Sequence, residues 1–157
     1  RYIGAGLAIE FDTFGNIGRD ADIAADHTNI FATDATYPGD LDSARVTDPT
    51  ALADLEDGLD HRVVVTWNAA TQTLSYSVDG VVIATLTEDL VAQYCGGSQV
   101  VQFGWTAGPG GTAHETHVTC RSLKAVSSTH RPAAEELPRG HLARVRSCIP
   151  RPRIYLL

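Results

Sequence analysis

The sequence predicts an all-β fold, an antiparallel β-sandwich of jelly-roll type, on three observations. Residues 61–86 carry three successive runs of alternating or β-branched apolar residues. Turn signals recur along the whole body of the chain. Only two short segments, opening at Asp48 and at Thr87, have helix-start chemistry. A chain of 157 residues is long enough for one domain with a real core.

In order, Arg1–Gly6 is a glycine-punctuated lead-in to a first strand, Leu7–Phe14. Alternation there puts Leu7, Ile9 and Phe11 on one face and Glu10 and Asp12 on the other, about 7 Å apart along the strand. A long polar loop runs to His27, and Thr28–Ala32 reads as a short strand. Residues 34–47 are loop-like, with Tyr37-Pro38-Gly39-Asp40 as a turn signal. Asp48-Pro49 has the N-cap and N1 residues of a brief helix, with Leu52 and Leu55 on one face and Gly58 past its end. The meander follows as strands 61–68, 72–79 and 81–86, the last two joined by an Asp79-Gly80 hairpin turn. In its middle strand Leu74, Tyr76 and Val78 alternate with Ser75, Ser77 and Asp79, which buries one face. Thr87–Val91 predicts a capped helical turn ending near Gly96-Gly97. Residues 100–123 read as strand, glycine-rich loop, strand.

From Ser127 the texture changes. Four of the seven prolines lie there, without sustained periodicity. The reading is therefore two parts, a folded body over 1–126 and a basic Pro/Arg-rich tail over 127–157. The tail is predicted to lack stable structure, as a disordered end, a linker or out-of-frame translation, with an anion-binding peptide as the alternative.

Charge follows the same division. Up to Val126 there are 17 acidic against 6 basic residues, a balance of −11; beyond it, 6 arginines against 2 glutamates give +4, for the total of −7. An acidic body disfavours nucleic acid and anionic membrane and suits cations. No apolar run reaches membrane-spanning length, so no membrane insertion is expected. A chain that begins at Arg1 and holds no Met reads as a processed product or an excerpt, with any signal peptide upstream. Of the three cysteines, Cys95 and Cys120 flank a predicted hairpin and either pair in an oxidising compartment or remain two buried thiols; Cys148 is the odd one.

The chemistry-bearing stretch is Ile9–His27. Glu10 and Asp12, side by side on one strand face, repel, and burying either is costly unless positive charge lies between them. The loop adds the Asn16 amide oxygen, the Asp22 carboxylate and the His27 imidazole, with Arg19 its one cationic side chain. A divalent cation satisfies this set. The plain alternative is a half-exposed strand of solvated acids followed by an acidic surface loop.

The spacing resembles the metal-binding loop of the legume (L-type) lectins, of the concanavalin A-like superfamily. There, a Glu-hydrophobic-Asp-Thr strand is followed by aromatic, Asn, Asp and His ligands. The matching residues are Glu10, Asp12, Phe14, Asn16, Asp22 and His27. The interval from Asn16 to Asp22 is one residue longer than in well-known plant members, which leaves Asp20 as a rival to Asp22. A second match is the Gly-aromatic-Thr/Ser-Ala-x-x-Gly turn, here Gly104-Trp105-Thr106-Ala107-Gly108 running into Pro109-Gly110-Gly111, with Pro109 where Thr is usual. The family's Ser-Trp-Ser-Phe ending is here Cys120-Arg121-Ser122-Leu123. The resemblance covers about residues 2–126 and implies that the N-terminal strands of the sandwich are missing from this chain, among them the one carrying the family's sugar-binding Asp.

By that resemblance, Ca²⁺ takes Asp12, Asp22, the Asn16 amide oxygen and the Phe14 carbonyl. Mn²⁺ or another divalent transition ion takes Glu10 and His27, with Asp12 and Asp22 bridging. Asn16, Gly110 and Gly111 bind sugar hydroxyls. The implied function is calcium-dependent carbohydrate binding without catalysis. Its partners are glycans or cell-surface polysaccharide, in an extracellular or cell-surface setting. Two other classes stay open. A laminin-G-like adhesion or structural module predicts the same strands and indifference to sugar. A glycoside hydrolase would use Glu10 and Asp12 with a third acid two or three residues on, where Phe14 and Gly15 stand. His114 and His117 lack the spacing of a zinc-protease motif.

Overall fold

The computed structural model describes residues 5–15, 22–33, 44–97, 103–109, 115–124, 145–148 and 152–156. The regular structure among these residues is almost entirely β, in antiparallel sheets, as the meander and turn pattern predict. One helical turn, Leu90–Gln93, is present among them, with the Asp89 carboxylate accepting from the Ala92 N–H at 3.0 Å. It stops where Gly97 N–H reaches back to Val91 O at 2.9 Å, with Gly96 and Gly97 both at positive φ. No helix among the described residues is long and apolar enough to cross a membrane.

The strands are β1 (Gly6–Asp12), β2 (His27–Thr33), β3 (Thr50–Ala51), β4 (Asp60–His61), β5 (Val63–Asn68), β6 (Thr73–Val78), β7 (Val81–Thr87), β8 (Trp105–Pro109), β9 (Glu115–Val118), β10 (Val145–Cys148) and β11 (Pro152–Leu156). They form three sheets, ordered β3-β2-β1-β11-β8, β4-β10-β9 and β5-β6-β7. The chain divides into two units. The first comprises Arg1–Leu59, Asp89–Thr116 and Ser147–Leu157, and the second Asp60–Glu88 and His117–Arg146.

The first unit is built on the five-stranded sheet. β1 and β2 pair over their full length, from Gly6↔Thr33 to Asp12↔His27. Ile9 faces Ile30 across the ladder, and both are buried together with Ala8, Phe11, Phe31, Leu55 and Leu90. Three local bonds hold the following segment to β2. Thr47 Oγ1 accepts from Ile30 N–H at 2.9 Å, Ile30 O accepts from Val46 N–H at 2.7 Å, and Asp26 O accepts from Leu52 N–H at 2.7 Å.

The helix expected from Asp48 does not form. Thr50–Ala51 instead pairs with the start of β2. Beyond it, the Asp54 and Asp57 carboxylates accept from the N–H groups two residues on, at 2.8 and 2.7 Å. An open strand edge and Asx turns offer this backbone better partners than one helical turn does. The glycine-rich stretch also differs from expectation, since Trp105–Pro109 is strand β8 rather than loop. Its partner is β11, which pairs with β1 on its other side. β11 and β10 both lie in the stretch for which the sequence predicts no stable structure. The β-prone run Ile154-Tyr155-Leu156 meets the edge of β1 there, and an edge with unpaired donors and acceptors recruits such a segment. Residues 125–144 lie outside the described residues.

The second unit carries the predicted meander. Leu74, Tyr76 and Val78 are buried as the alternation requires, Tyr76 with 1% exposure. Asp79 and Gly80 have φ of 50° and 86°, both positive, as a two-residue hairpin of this twist demands. The Asp79 side chain does a second job. Its Oδ1 accepts from Arg62 N–H at 2.6 Å, and its Oδ2 meets His61 Nδ1 at 2.8 Å, tying the turn to the entry of β5. Partial burial pushes this carboxyl upward, but the bonds from Arg62 N–H and from His61 outweigh it and hold it below its ordinary 3.8.

A carboxyl depressed in the folded state contributes stability that is present above its unfolded pKa and lost as pH falls through the folded one. Asp79→Ala, which strains a left-handed position and removes both acceptors, should lower the unfolding free energy by about 1–2 kcal/mol in a urea titration. Asp79→Asn, which tolerates the turn and keeps an acceptor for Arg62, should cost less at neutral pH. It should also flatten the loss of stability below about pH 4.

Candidate metal centre

The pairing of β1 with β2 settles which side chains share a face. Cross-strand partners point the same way, so Glu10 with Asn29 and Asp12 with His27 lie on one face, beside Ala8 with Phe31. All of these are buried. Glu10 and Asp12 are each 2% exposed and His27 is 0% exposed. That removes the reading of solvated acids on a half-exposed strand, because both faces of β1 are covered.

Asp22 comes to the same place from the loop, with its side chain only 4% exposed. One ligand atom each from Asp12, Asp22 and His27 lie within 4.8 Å of one another. Two carboxylates that close repel by roughly 3–4 kcal/mol at an effective dielectric of ~20, well above what an exposed ion pair returns. Such a pair is relieved by a proton, by a neighbouring cationic side chain or by a bound cation. Ligands around a divalent ion at about 2.0–2.6 Å stand on the order of 3–5 Å apart, so the spacing fits such an ion.

His27 is oriented for the task. Its Nδ1 lies 2.9 Å from the Ala25 carbonyl oxygen, which can only accept, so Nδ1 carries the proton. In the neutral ring Nε2 then presents its lone pair toward Asp22 Oδ1, 3.3 Å away. Lone pair against carboxylate is repulsive unless a cation or a proton intervenes. A backbone carbonyl holding the far ring nitrogen is also the arrangement that orients metal-bound histidines generally.

Local structure holds the two ends of the loop together. Asp12 Oδ1 accepts from Phe14 N–H at 2.8 Å, turning the chain immediately after β1 and fixing the carboxylate. Thr13 Oγ1 donates to Glu56 Oε1 at 3.1 Å. Gly15 then passes so close to the returning chain that a Cβ there would lie 2.4 Å from Ile23 O and 2.9 Å from Ala24 Cα. Behind His27, Asp26 Oδ2 accepts from Leu55 N–H at 2.6 Å. Burial pushes the Asp26 carboxyl above its usual range, against the Leu55 bond, with Glu56 and Asp54 adding to the rise.

Of the residues expected in the site, Asp12, Asp22 and His27 converge, and Glu10 shares their buried face. Phe14 follows directly, exposed, with its backbone turned by Asp12. Asn16, Asp20, Gly110 and Gly111 lie outside the described residues, as does His114, while His117 is exposed on β9. Cys95 and Cys120 are free thiols. Two residues that sequence reading passes over belong here: Gly15, and Asn29, whose position two after His27 on a strand already implies the same face. No protein-family model matches the chain, and no solved structure matches it.

Gly15→Ala should loosen this neck, because the atoms it would strike are backbone and cannot swing aside. The expected outcome is a lower melting temperature together with faster proteolysis within residues 16–21. Unchanged cleavage in that segment would mean that the close approach does not hold the loop.

Proposed function

We propose that this chain is part of a calcium-dependent carbohydrate-binding domain of the L-type lectin kind, an antiparallel jelly-roll sandwich in which structural metal ions shape the sugar site. The observation that supports the reading is the buried convergence of Asp12, Asp22 and the Nε2 of His27, with Nδ1 tied to Ala25 O. Asp12, Asp22, the Phe14 carbonyl and Asn16 would hold Ca²⁺, a hard ion that takes oxygen ligands. Glu10, Asp12, Asp22 and His27 would hold Mn²⁺ or a similar ion, which accepts an imidazole. When bound, the ions neutralise the acids and supply no chemistry to a reaction.

In this reading the residues of the chain do the binding. Asn16, with Gly110 and Gly111, offers hydrogen bonds to sugar hydroxyls, and the turn after Asp12 sets the path of the chain into the loop. The ligand class is a glycan or cell-surface polysaccharide, met outside the cell. Glu10 and Asp12 are not proposed as a hydrolytic pair, since Phe14 and Gly15 occupy the positions where the third acid would stand.

Ions that bind only the folded state must raise its stability, by ~2.7 kcal/mol at a hundredfold excess over the dissociation constant. Melting in Ca²⁺ plus Mn²⁺ should therefore exceed melting in chelator, and the difference should shrink in acid as the carboxylates take up protons and the imidazole charges. Asp12→Ala should abolish the difference. Asp22→Ala should reduce it severely and Asp20→Ala mildly; the reverse order would exchange their roles. Equal melting in both conditions would remove the metal reading. A metal response with no retention on a glycan array would favour the adhesion or structural module instead.

A further inference from the structure

Asn29 stands directly across β1–β2 from Glu10, one pair along from Asp12 and His27. It is 1% exposed, and neither its Oδ1 nor its Nδ2 has a hydrogen-bond partner among the described residues. An amide buried in that state costs about 1–3 kcal/mol for each group left unsatisfied. Native chains keep few such groups, and each calls for a reason. Packing supplies none. The neighbouring buried positions on this strand are Thr28, Ile30 and Phe31, and leucine has the branched four-atom skeleton of asparagine without its polar atoms.

Strand register gives the reason. Asn29 shares the face of Glu10, Asp12 and His27, beside the Asp12, Asp22 and His27 group that could hold a metal ion. We propose that Asn29 is a positioning residue of the transition-ion site, its amide holding a water bound to the ion on the Glu10 side. The proposal rests on the metal reading of Asp12, Asp22 and His27. A bridging water, rather than direct coordination, follows from the strand geometry. Asn29 pairs with Glu10, one position along from the Asp12–His27 pair, and Glu10 is not among the three residues whose ligand atoms lie together. An amide suits the place because it both accepts and donates. With the ion bound, Oδ1 would take a hydrogen from its water and Nδ2 would be free to donate toward Glu10 across the ladder, which a hydroxyl or a second carboxylate could not do in the same way.

The test compares the full chain with Asn29→Leu and Asn29→Asp, using Mn²⁺ as the probe. Free Mn²⁺ is read by electron paramagnetic resonance, and melting is followed in chelator and in Mn²⁺. Asn29→Leu should melt at or above the parent in chelator, having lost an unsatisfied amide, yet bind Mn²⁺ roughly 10–100-fold more weakly. Asn29→Asp, which keeps an oxygen for the ion's water but loses the donor toward Glu10, should bind Mn²⁺ more tightly than the leucine variant and more weakly than the parent. If leucine prevents folding, Asn29→Ala removes the amide without bulk and should show the same weakening. Parent-like Mn²⁺ affinity in the leucine or alanine variant would overturn the role of Asn29 while leaving the metal centre standing. A parent chain that binds no Mn²⁺ would overturn both.

Discussion

Two carboxylates on one buried face of a β-strand are hard to keep in a folded protein, and the first unit is arranged around that fact. Glu10 and Asp12 are covered on both sides of β1. A carboxylate so placed either takes up a proton or stands against a compensating charge. The loop and β2 bring a third acid, Asp22, and an imidazole to the same point rather than separating them. The cluster concentrates negative charge where desolvation makes it most expensive. Such a concentration is a weak source of stability in its own right, and it is the feature on which the metal proposal rests.

The supports behind the cluster are short-range and mostly backbone. Asp12 fixes its own carboxylate by bonding Phe14 N–H, and His27 fixes its own ring through Ala25 O. Asp26 anchors the segment around Leu52 and Leu55 through both its main chain and its side chain. Asp12 and His27 are thus each oriented by a residue two positions away, while the pairing of β1 with β2 supplies the long-range component. A site built on paired strands holds its geometry better than one carried wholly on a loop. Asp22 is the member most dependent on the loop, and Gly15 lets that loop close at its neck.

This division of labour bears on the carbohydrate-binding proposal. A sugar site made from loop amides has to be ordered before it can discriminate hydroxyl groups, and ordering a loop costs conformational entropy. Ions bound at the base of the loop would meet that cost in advance. The second unit has a different task. Its three-stranded meander is tied at the turn by Asp79 and His61 and is stabilised by the burial of Leu74, Tyr76 and Val78.

The sequence by itself determined the all-β class, the meander with its Asp79-Gly80 turn and the capped turn at Asp89. These are local: strand alternation, turn residues and caps act over two to four residues and are written in neighbouring letters. Tertiary structure decided the rest. Burial of Glu10 and Asp12 depends on what covers the outer face of β1, which alternation cannot report. Thr50–Ala51 became a strand because the edge of β2 was open, although Asp48-Pro49 has the chemistry of a helix start. β11 found β1 across more than 140 residues of chain, a pairing set by an available edge and carried by no local signal. Asn29 shows both halves at once. Its face was legible from its distance to His27, but its lack of partners became visible only when the strands were paired, because hydrogen-bond satisfaction is a property of what surrounds a group and not of the group itself.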